Sequence, residues 1–298
     1  MSAASKHVLI TGALGFTGQL MAAEFATQGY RVTGMGAQGI DSADYRQADL
    51  TDANALKACL VELQPDIVVH LAALAFVGHG DANAFYRVNL IGTRNLLEAI
   101  ADMGKQPDAV LLASSANVYG NATAGTLSEQ ASLAPANDYA VSKMAMEAMA
   151  RLWMDRLPLL ITRPFNYTGI GQAENFLLPK IVSHFRRREA CIELGNLDVF
   201  RDFTDVRALV QAYRRLIESG ATGETVNVCS GRVHSLREVI GLCEQITGHR
   251  LEIRVNPAFV RANEVKTLCG DASRLRQLIG DWDTPALEET LRWMLDAP

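Results

Sequence analysis

Short apolar runs alternate with stretches of helical length through the first half of the chain. Val8-Leu9-Ile10-Thr11 reads as a strand, glycines follow, and a helix then runs to about Gln28. Tyr30 to Thr33 predicts a second strand, and Asp52 to Leu63 a helix that Asp52 is placed to cap. Pro65-Asp66 introduces the run Ile67 to Leu71, Asn89 to Met103 has helical length, and Val110 to Ser114 is again apolar. Leu159 to Thr162 adds a strand that Arg163-Pro164 closes. Strands apolar at every position are buried on both faces, so the alternation predicts an α/β fold with a doubly wound parallel sheet.

After Pro164 the pattern weakens, as Gly169, Gly171, Pro179, Gly195, Gly220 and Gly223 cut the chain into short pieces. Val226-Asn227-Val228 looks like a returning strand, while Leu236 to Thr247 and Pro285 to Leu295 predict helices. The expected organisation is a nucleotide-binding domain over 1–165, to which 202–230 returns. A smaller interleaved C-terminal lobe over 166–201 and 231–298 would take the substrate. The 298 residues suffice for one core and such a lobe. A hydrophobic share of 49% with 20% charged residues suits a soluble globular chain. The net charge of −5 argues against nucleic acid or an anionic membrane as partner. No apolar run reaches the length of a membrane span. The N-terminus lacks a signal-peptide core, and the five cysteines lack C-x-x-C spacing, so neither a metal site nor a disulfide framework is implied. A reducing cytoplasm fits.

VLITGALGFTG places Gly12, Gly15 and Gly18 between a strand and a helix, with Phe16 and Thr17 at the turn into it. Glycines admit backbone N–H groups close to a pyrophosphate, and a helix N-terminus favours its charge, which is the Rossmann-type arrangement. An acid at the end of the second strand would select NAD, and an arginine NADP. The chain reads Gly34-Met35-Gly36-Ala37-Gln38 there, so the choice between NADH and NADPH stays open.

SSANVYG (114–120) ends the apolar run from Val110, and twenty residues after Tyr119 comes YAVSK. Tyr139 and Lys143 are four apart and share one face if a helix opens here and runs to about Arg156. A phenol with a pKa of ~10 is a poor acid–base at neutral pH, and a neighbouring ammonium is expected to lower that value. Ser115 at the strand end would hydrogen-bond the reacting oxygen. A solvated surface pair is the plainer alternative for Tyr139 and Lys143 taken alone.

TGALGFTG, HLAA (70–73), SSANVYG, YAVSK and RPFN (163–166), in this order, resemble the extended short-chain dehydrogenases/reductases. The resemblance runs from about Val8 to Leu295 and implies NAD(P)-dependent chemistry on a nucleotide sugar. It implies that Asp49 and Leu50 flank the adenine, that Leu71, Ala72, Ala73 and Pro164 lie along the coenzyme, and that Asn89 lies deeper. Asn117 and Asn166 would meet the sugar or its diphosphate. The family's 4,6-dehydratases carry carboxylates in the two positions after the catalytic Ser or Thr, where this chain has Ala116 and Asn117. Its 3,5-epimerase-reductases carry a cysteine where Asn117 stands. Hydride transfer at carbon 4 remains, either as a reductase or as a 4-epimerase that keeps its NAD.

LGNLDVFRDFTDV (194–206) and RANEVKTLCGD (261–271) are similar to substrate segments of the family's GDP-sugar branch. This implies NADPH- or NADH-dependent reduction of GDP-4-keto-6-deoxy-D-mannose to GDP-D-rhamnose. The implied substrate contacts are Asn175, Phe176, Lys180, Leu194, Asn196, Arg201, Arg261 and Glu264. Both arginines suit a diphosphate, although an ion pair of Arg201 with Asp205 is the plainer reading. The family also implies a homodimer through a four-helix bundle of the 89–103 helix and the YAVSK helix. His70, Met144, Met146 and Met149 read as packing, and Arg186 to Arg188 as a solvated helix face.

Overall fold

The computed structural model describes residues 5–76, 80–120, 125–259 and 266–297. β1 (His7–Thr11), α1 (Phe16–Thr27), β2 (Arg31–Gly36), β3 (Tyr45–Gln47), α2 (Ala53–Leu63) and β4 (Ile67–His70) open the chain. A long helical stretch follows, made of α3 (Ala82–Phe85), a π-helical segment Tyr86–Gly92 and α4 (Thr93–Asp102). β5 (Ala109–Ala113), β6 (Thr126–Leu127), α5 (Asp138–Arg151) and β7 (Leu159–Pro164) come next. The second half holds β8 (Asn166–Thr168), α6 (Leu177–Arg186), β9 (Cys191–Leu194), β10 (Phe200–Asp205), α7 (Val206–Glu218) and β11 (Thr225–Val228). It ends with β12 (Val233–Ser235), α8 (Leu236–Thr247), β13 (Glu252–Val255), β14 (Thr267–Gly270), α9 (Ser273–Ile279) and α10 (Leu287–Leu295).

Seven parallel strands form the large sheet in the order β11-β7-β5-β4-β1-β2-β3. Val8, Ile10, Val69 and Leu111 face a core completed by Met21 and Phe25 of α1 and Leu209, Tyr213 and Leu216 of α7. Leu9, Val68, Val110 and Leu112 face the opposite core, with Leu56 and Leu60 of α2, Leu96 and Leu97 of α4 and Met146 of α5. Both faces are therefore dry, which is why these strands read as continuous apolar runs. The strand order reverses between β1 and β4, and the crevice beyond their C-terminal ends is where such sheets bind ligands.

Several predicted boundaries move. β2 runs on through Gly34 and Gly36, where a Cβ would lie 2.7 Å from the Ala13 methyl and 2.7 Å from the Tyr45 hydroxyl. The backbone approaches Tyr45 too closely for side chains, so no hydrophobic signal marks that end of the strand. The helix predicted from Asn89 starts at Ala82, where the Asp81 side chain accepts from the Asn83 N–H. The YAVSK helix stops at Arg151 rather than near Arg156. Asp205 caps the unpredicted α7 and pairs with Arg207 at 2.7 Å, not with Arg201.

A second sheet, β12-β10-β14-β6 with β8 beside β10, and the pair β13-β9 carry the smaller lobe. Its core is built by Leu178, Ile181 and Phe185 of α6, Val239 and Ile240 of α8, and Leu291 of α10. Asp202 is fully buried in β10 and accepts from Ser230 Oγ at 2.6 Å and from the N–H groups of Ser230 and Gly231, both at 2.8 Å. A buried carboxylate with this many donors anchors the loops that flank it.

Candidate active site

A cleft of about 470 Å³ opens at the switch point, between the glycine loop, the ends of β4, β5 and β7, and α6. Gly12 turns with φ +70°, and a Cβ there would lie 2.8 Å from the Ala72 nitrogen. At Gly18 a Cβ would fall 2.1 Å from the Gly12 carbonyl oxygen, so only glycine lets α1 close onto the loop. Gly15 occupies the N-cap of α1 with no side-chain capping bond. A helix N-terminus with a glycine cradle and no cap of its own fits a pyrophosphate. Gly12, Gly15 and Gly18 would hold that group of a nicotinamide coenzyme, which when bound supplies or accepts hydride.

Ser115, Tyr139 and Lys143 line the same cleft and are 6%, 7% and 4% exposed. α5 presents the latter two because Asn137 caps it, its side chain accepting the Ala140 N–H at 2.9 Å. Burial pushes the Tyr139 phenol up to about 12, opposed by its hydrogen bond with Ser115. The expectation that Lys143 would lower this value is overturned. The ammonium donates instead to the Ala113 carbonyl at 2.7 Å, and its own pKa falls to about 8 because it is buried, an effect Glu147 only partly offsets.

Behind these groups lies an ionic bracket that sequence reasoning missed. Glu147, one turn after Lys143, accepts from Ser114 Oγ at 2.6 Å and from Arg163 Nε and Nη2 at 2.9 and 2.6 Å. Arg163 Nη1 also donates to the Tyr119 hydroxyl at 3.0 Å, and that hydroxyl donates to Asn227 Oδ1 at 2.6 Å. The bracket ties α5 to the ends of β5 and β7, the three elements that carry the cleft wall. Its signal was available as Arg163 before Pro164 and a glutamate four residues after the lysine. Tyr167 was also missed. It lines the cleft, stacks on Phe16 with centroids 6.1 Å apart, and shares a 2.9 Å hydrogen bond with Thr17.

Among the expected coenzyme contacts, Gly12, Gly15, Phe16, Thr17, Gly18, Leu71, Ala73 and Pro164 line the cleft, as do Asn117, Asn166 and Phe176 for the substrate. Others lie elsewhere. Asp49 is exposed and accepts from Thr51, while Leu50 is buried against the α2–α4 core. The Ala72 methyl packs on that core too. Asn89 is fully buried, bonded to both backbone groups of Leu74 and to Ser142 Oγ, so it holds the 71–75 loop rather than a ligand. Leu194 is core, which removes its side chain from any substrate. Lys180 donates to the Glu193 carbonyl at 2.7 Å and lies over the Phe259 ring, and Asn196 accepts from the Asp198 N–H. Arg201 donates to the Phe200 carbonyl at 2.9 Å, and Asn175 is exposed before α6. Arg261 and Glu264 lie outside the described residues. His70 is held between Thr11 Oγ1 at 2.7 Å and Thr93 Oγ1 at 2.9 Å, and burial lowers its pKa to about 3. It is a neutral packing group.

The family model described as GDP-mannose 4,6 dehydratase matches residues 9–294. This chain belongs to that family. Among its relatives, the GDP-6-deoxy-D-talose 4-dehydrogenase of Aggregatibacter actinomycetemcomitans is 36% identical over 275 residues, covering 92% of this chain and 91% of the relative. The GDP-6-deoxy-D-mannose reductase of Pseudomonas aeruginosa is 32% identical over 302 residues, covering 98% and 96%. A solved structure from Burkholderia cenocepacia J2315, provisionally named an epimerase, is similar with a TM-score of 0.92 at 50% identity, over 98% of this chain and 97% of that one. RMD from Pseudomonas aeruginosa, solved with NADPH, has a TM-score of 0.86 at 31% identity over 98% of each chain. In this member of the GDP-mannose 4,6 dehydratase family, the cleft wall after Ser115 carries Ala116 and Asn117 and no acid.

Proposed function

We propose that the protein reduces the carbon 4 ketone of a GDP-linked 4-keto-6-deoxyhexose at the expense of NADPH or NADH. One observation carries the reading: Ser115, Tyr139 and Lys143 converge on the cleft, while Asn117 stands where elimination would need a carboxylate. The ketone takes hydride at carbon 4, its oxygen takes the Tyr139 proton, and an alcohol and oxidised nicotinamide leave. A phenol held near 12 is protonated at neutral pH, as a proton donor must be. The relatives named for carbon 4 dehydrogenation and for GDP-6-deoxymannose reduction, and the neighbour solved with NADPH, support the same chemistry.

The coenzyme is assigned to 1–165 with 202–230, and the nucleotide sugar to 166–201 with 231–298. α7 and β11 packing on the large sheet supports that division. Asn166 and Phe176 are the proposed sugar contacts, and Arg201, Arg261 and Glu264 those of the nucleotide end. No helix among the described residues is long and apolar enough to cross a membrane, and five free thiols suit the cytoplasm. A homodimer through the 82–102 helices and α5 belongs to the reading, supported by Ile91 within the first and Leu152 just past the end of the second, exposed by 48% and 80%.

A carbon 4 epimerase is the second reading, favoured by the name of the Burkholderia neighbour. Incubation with GDP-4-keto-6-deoxy-mannose and NADPH or NADH separates the two. The reductase consumes coenzyme stoichiometrically and yields GDP-D-rhamnose or its carbon 4 epimer, GDP-6-deoxy-D-talose. Interconversion of unmodified nucleotide hexoses with no net coenzyme oxidation, and NAD released only on denaturation, would overturn it.

A further inference from the structure

Asn117 is exposed within the cleft, yet both nitrogens of its residue point at one atom. Its backbone N–H donates to Ser115 Oγ at 3.1 Å and its side-chain Nδ2 donates to the same oxygen at 3.2 Å. A serine hydroxyl has two acceptor lone pairs and one proton. Asn117 therefore fills both lone pairs, and the single proton of Ser115 is left to face the cleft that Tyr139 also lines.

We propose that Asn117 is a positioning residue that makes Ser115 an obligate hydrogen-bond donor to the reacting carbonyl oxygen. The inference rests on the carbon 4 ketone reading and adds to it a cause for the direction of each proton. A ketone oxygen only accepts, so it needs two donors, Ser115 and Tyr139. If the Nδ2 contact were absent, one lone pair of Ser115 would be open and the Tyr139 O–H would donate there, away from the substrate. The amide closes that unproductive arrangement. A carboxylate at 117 would do the reverse, drawing the Ser115 proton to itself.

The test is a double-mutant cycle on Asn117 and Ser115 with coenzyme affinity measured in parallel. Asn117→Ala lowers kcat about tenfold, the scale of one hydrogen bond, with the coenzyme Kd within twofold of wild type. In a Ser115→Ala background the same substitution costs less than twofold. Asn117→Asp, which supports the turn as well as asparagine does, loses more activity than Asn117→Ala while unfolding at the wild-type temperature. The proposal is overturned if Asn117→Ala keeps half of the wild-type kcat, if its cost persists without Ser115, or if Asn117→Asp is the better enzyme. The cycle is read on whichever conversion the wild type performs, reduction or epimerisation, since both send hydride and proton to a carbon 4 ketone. Failure of the reductase reading thus shows in the wild type, and failure of the Asn117 proposal only in the cycle.

Discussion

Tyr139 and Lys143 are shifted in opposite directions by the same burial, the phenol up to about 12 and the ammonium down to about 8. Each shift disfavours the charged form, the signature of desolvation rather than of mutual attraction. At neutral pH the pair is a protonated phenol beside a cation, the state that suits reduction. Tyr139→Phe should lower kcat by ~10²–10⁴ while coenzyme affinity stays near wild type, because only the proton donor is removed. Activity within a few-fold of wild type would take Tyr139 out of that role. The positive charge of Lys143 favours the negative charge that develops on oxygen during hydride transfer. The reductive kcat should therefore fall as pH rises through about 8, where Lys143 loses its proton. Stability moves the other way. Between that pH and the unfolded value of 10.5 the unfolded chain holds the extra proton, so stability rises as the buried charge is relieved. A kcat flat to pH 10 would show that the charge of Lys143 is not used.

At the scale of elements, the glycine loop and α1 form one unit. Gly18→Ala puts a methyl 2.1 Å from the Gly12 carbonyl and 2.7 Å from Ala13 Cα, both backbone atoms, so the loop must open. NADPH affinity, followed by titration of its fluorescence, should fall at least tenfold, and unchanged affinity would detach the loop from the coenzyme. This loop was legible because its glycines stand between an apolar strand and a helix. The central strands were legible because both faces are buried. β10 was not, since FRDFTD buries Asp202 and Asp205, whose charges are met by Ser230, Gly231 and Thr290 from distant segments besides the adjacent Arg207. No local pattern announces such partners. α7 did carry a readable stripe, with Val206, Leu209, Val210, Tyr213, Leu216 and Ile217 all buried at helical spacing. Of the site, the spacing of the catalytic groups was visible, but their pKa values and the Glu147–Arg163 bracket depend on what the fold brings around them.

Across the molecule, α10 is one of the elements that join the large sheet to the smaller lobe, beside the Asn227–Leu127 hydrogen bond and the cluster of Tyr119, Phe165, Leu127 and Leu268. Trp293 packs against both the α1–α7 core and the core of the smaller lobe. Its ring lies 3.8 Å from the Arg207 guanidinium, and Thr290 donates to Asp205 at 2.8 Å, so α10 grips the start of α7. Gly169, at the entry to the smaller lobe, admits the same ring, since a Cβ there would lie 2.9 Å from it. Wild type should therefore unfold in one calorimetric transition, and NADPH at a hundred times its Kd should add about 2.7 kcal/mol to the whole. Trp293→Ala removes the shared side chain, at a cost of roughly half the 3–5 kcal/mol of a fully buried tryptophan because Trp293 is only partly buried. What matters is where that cost falls. With the clamp gone, the smaller lobe should melt first and the large sheet second, and NADPH should move only the second transition upward. A single transition in Trp293→Ala that NADPH still shifts as a unit would mean that β8 and β10 couple the lobes without α10.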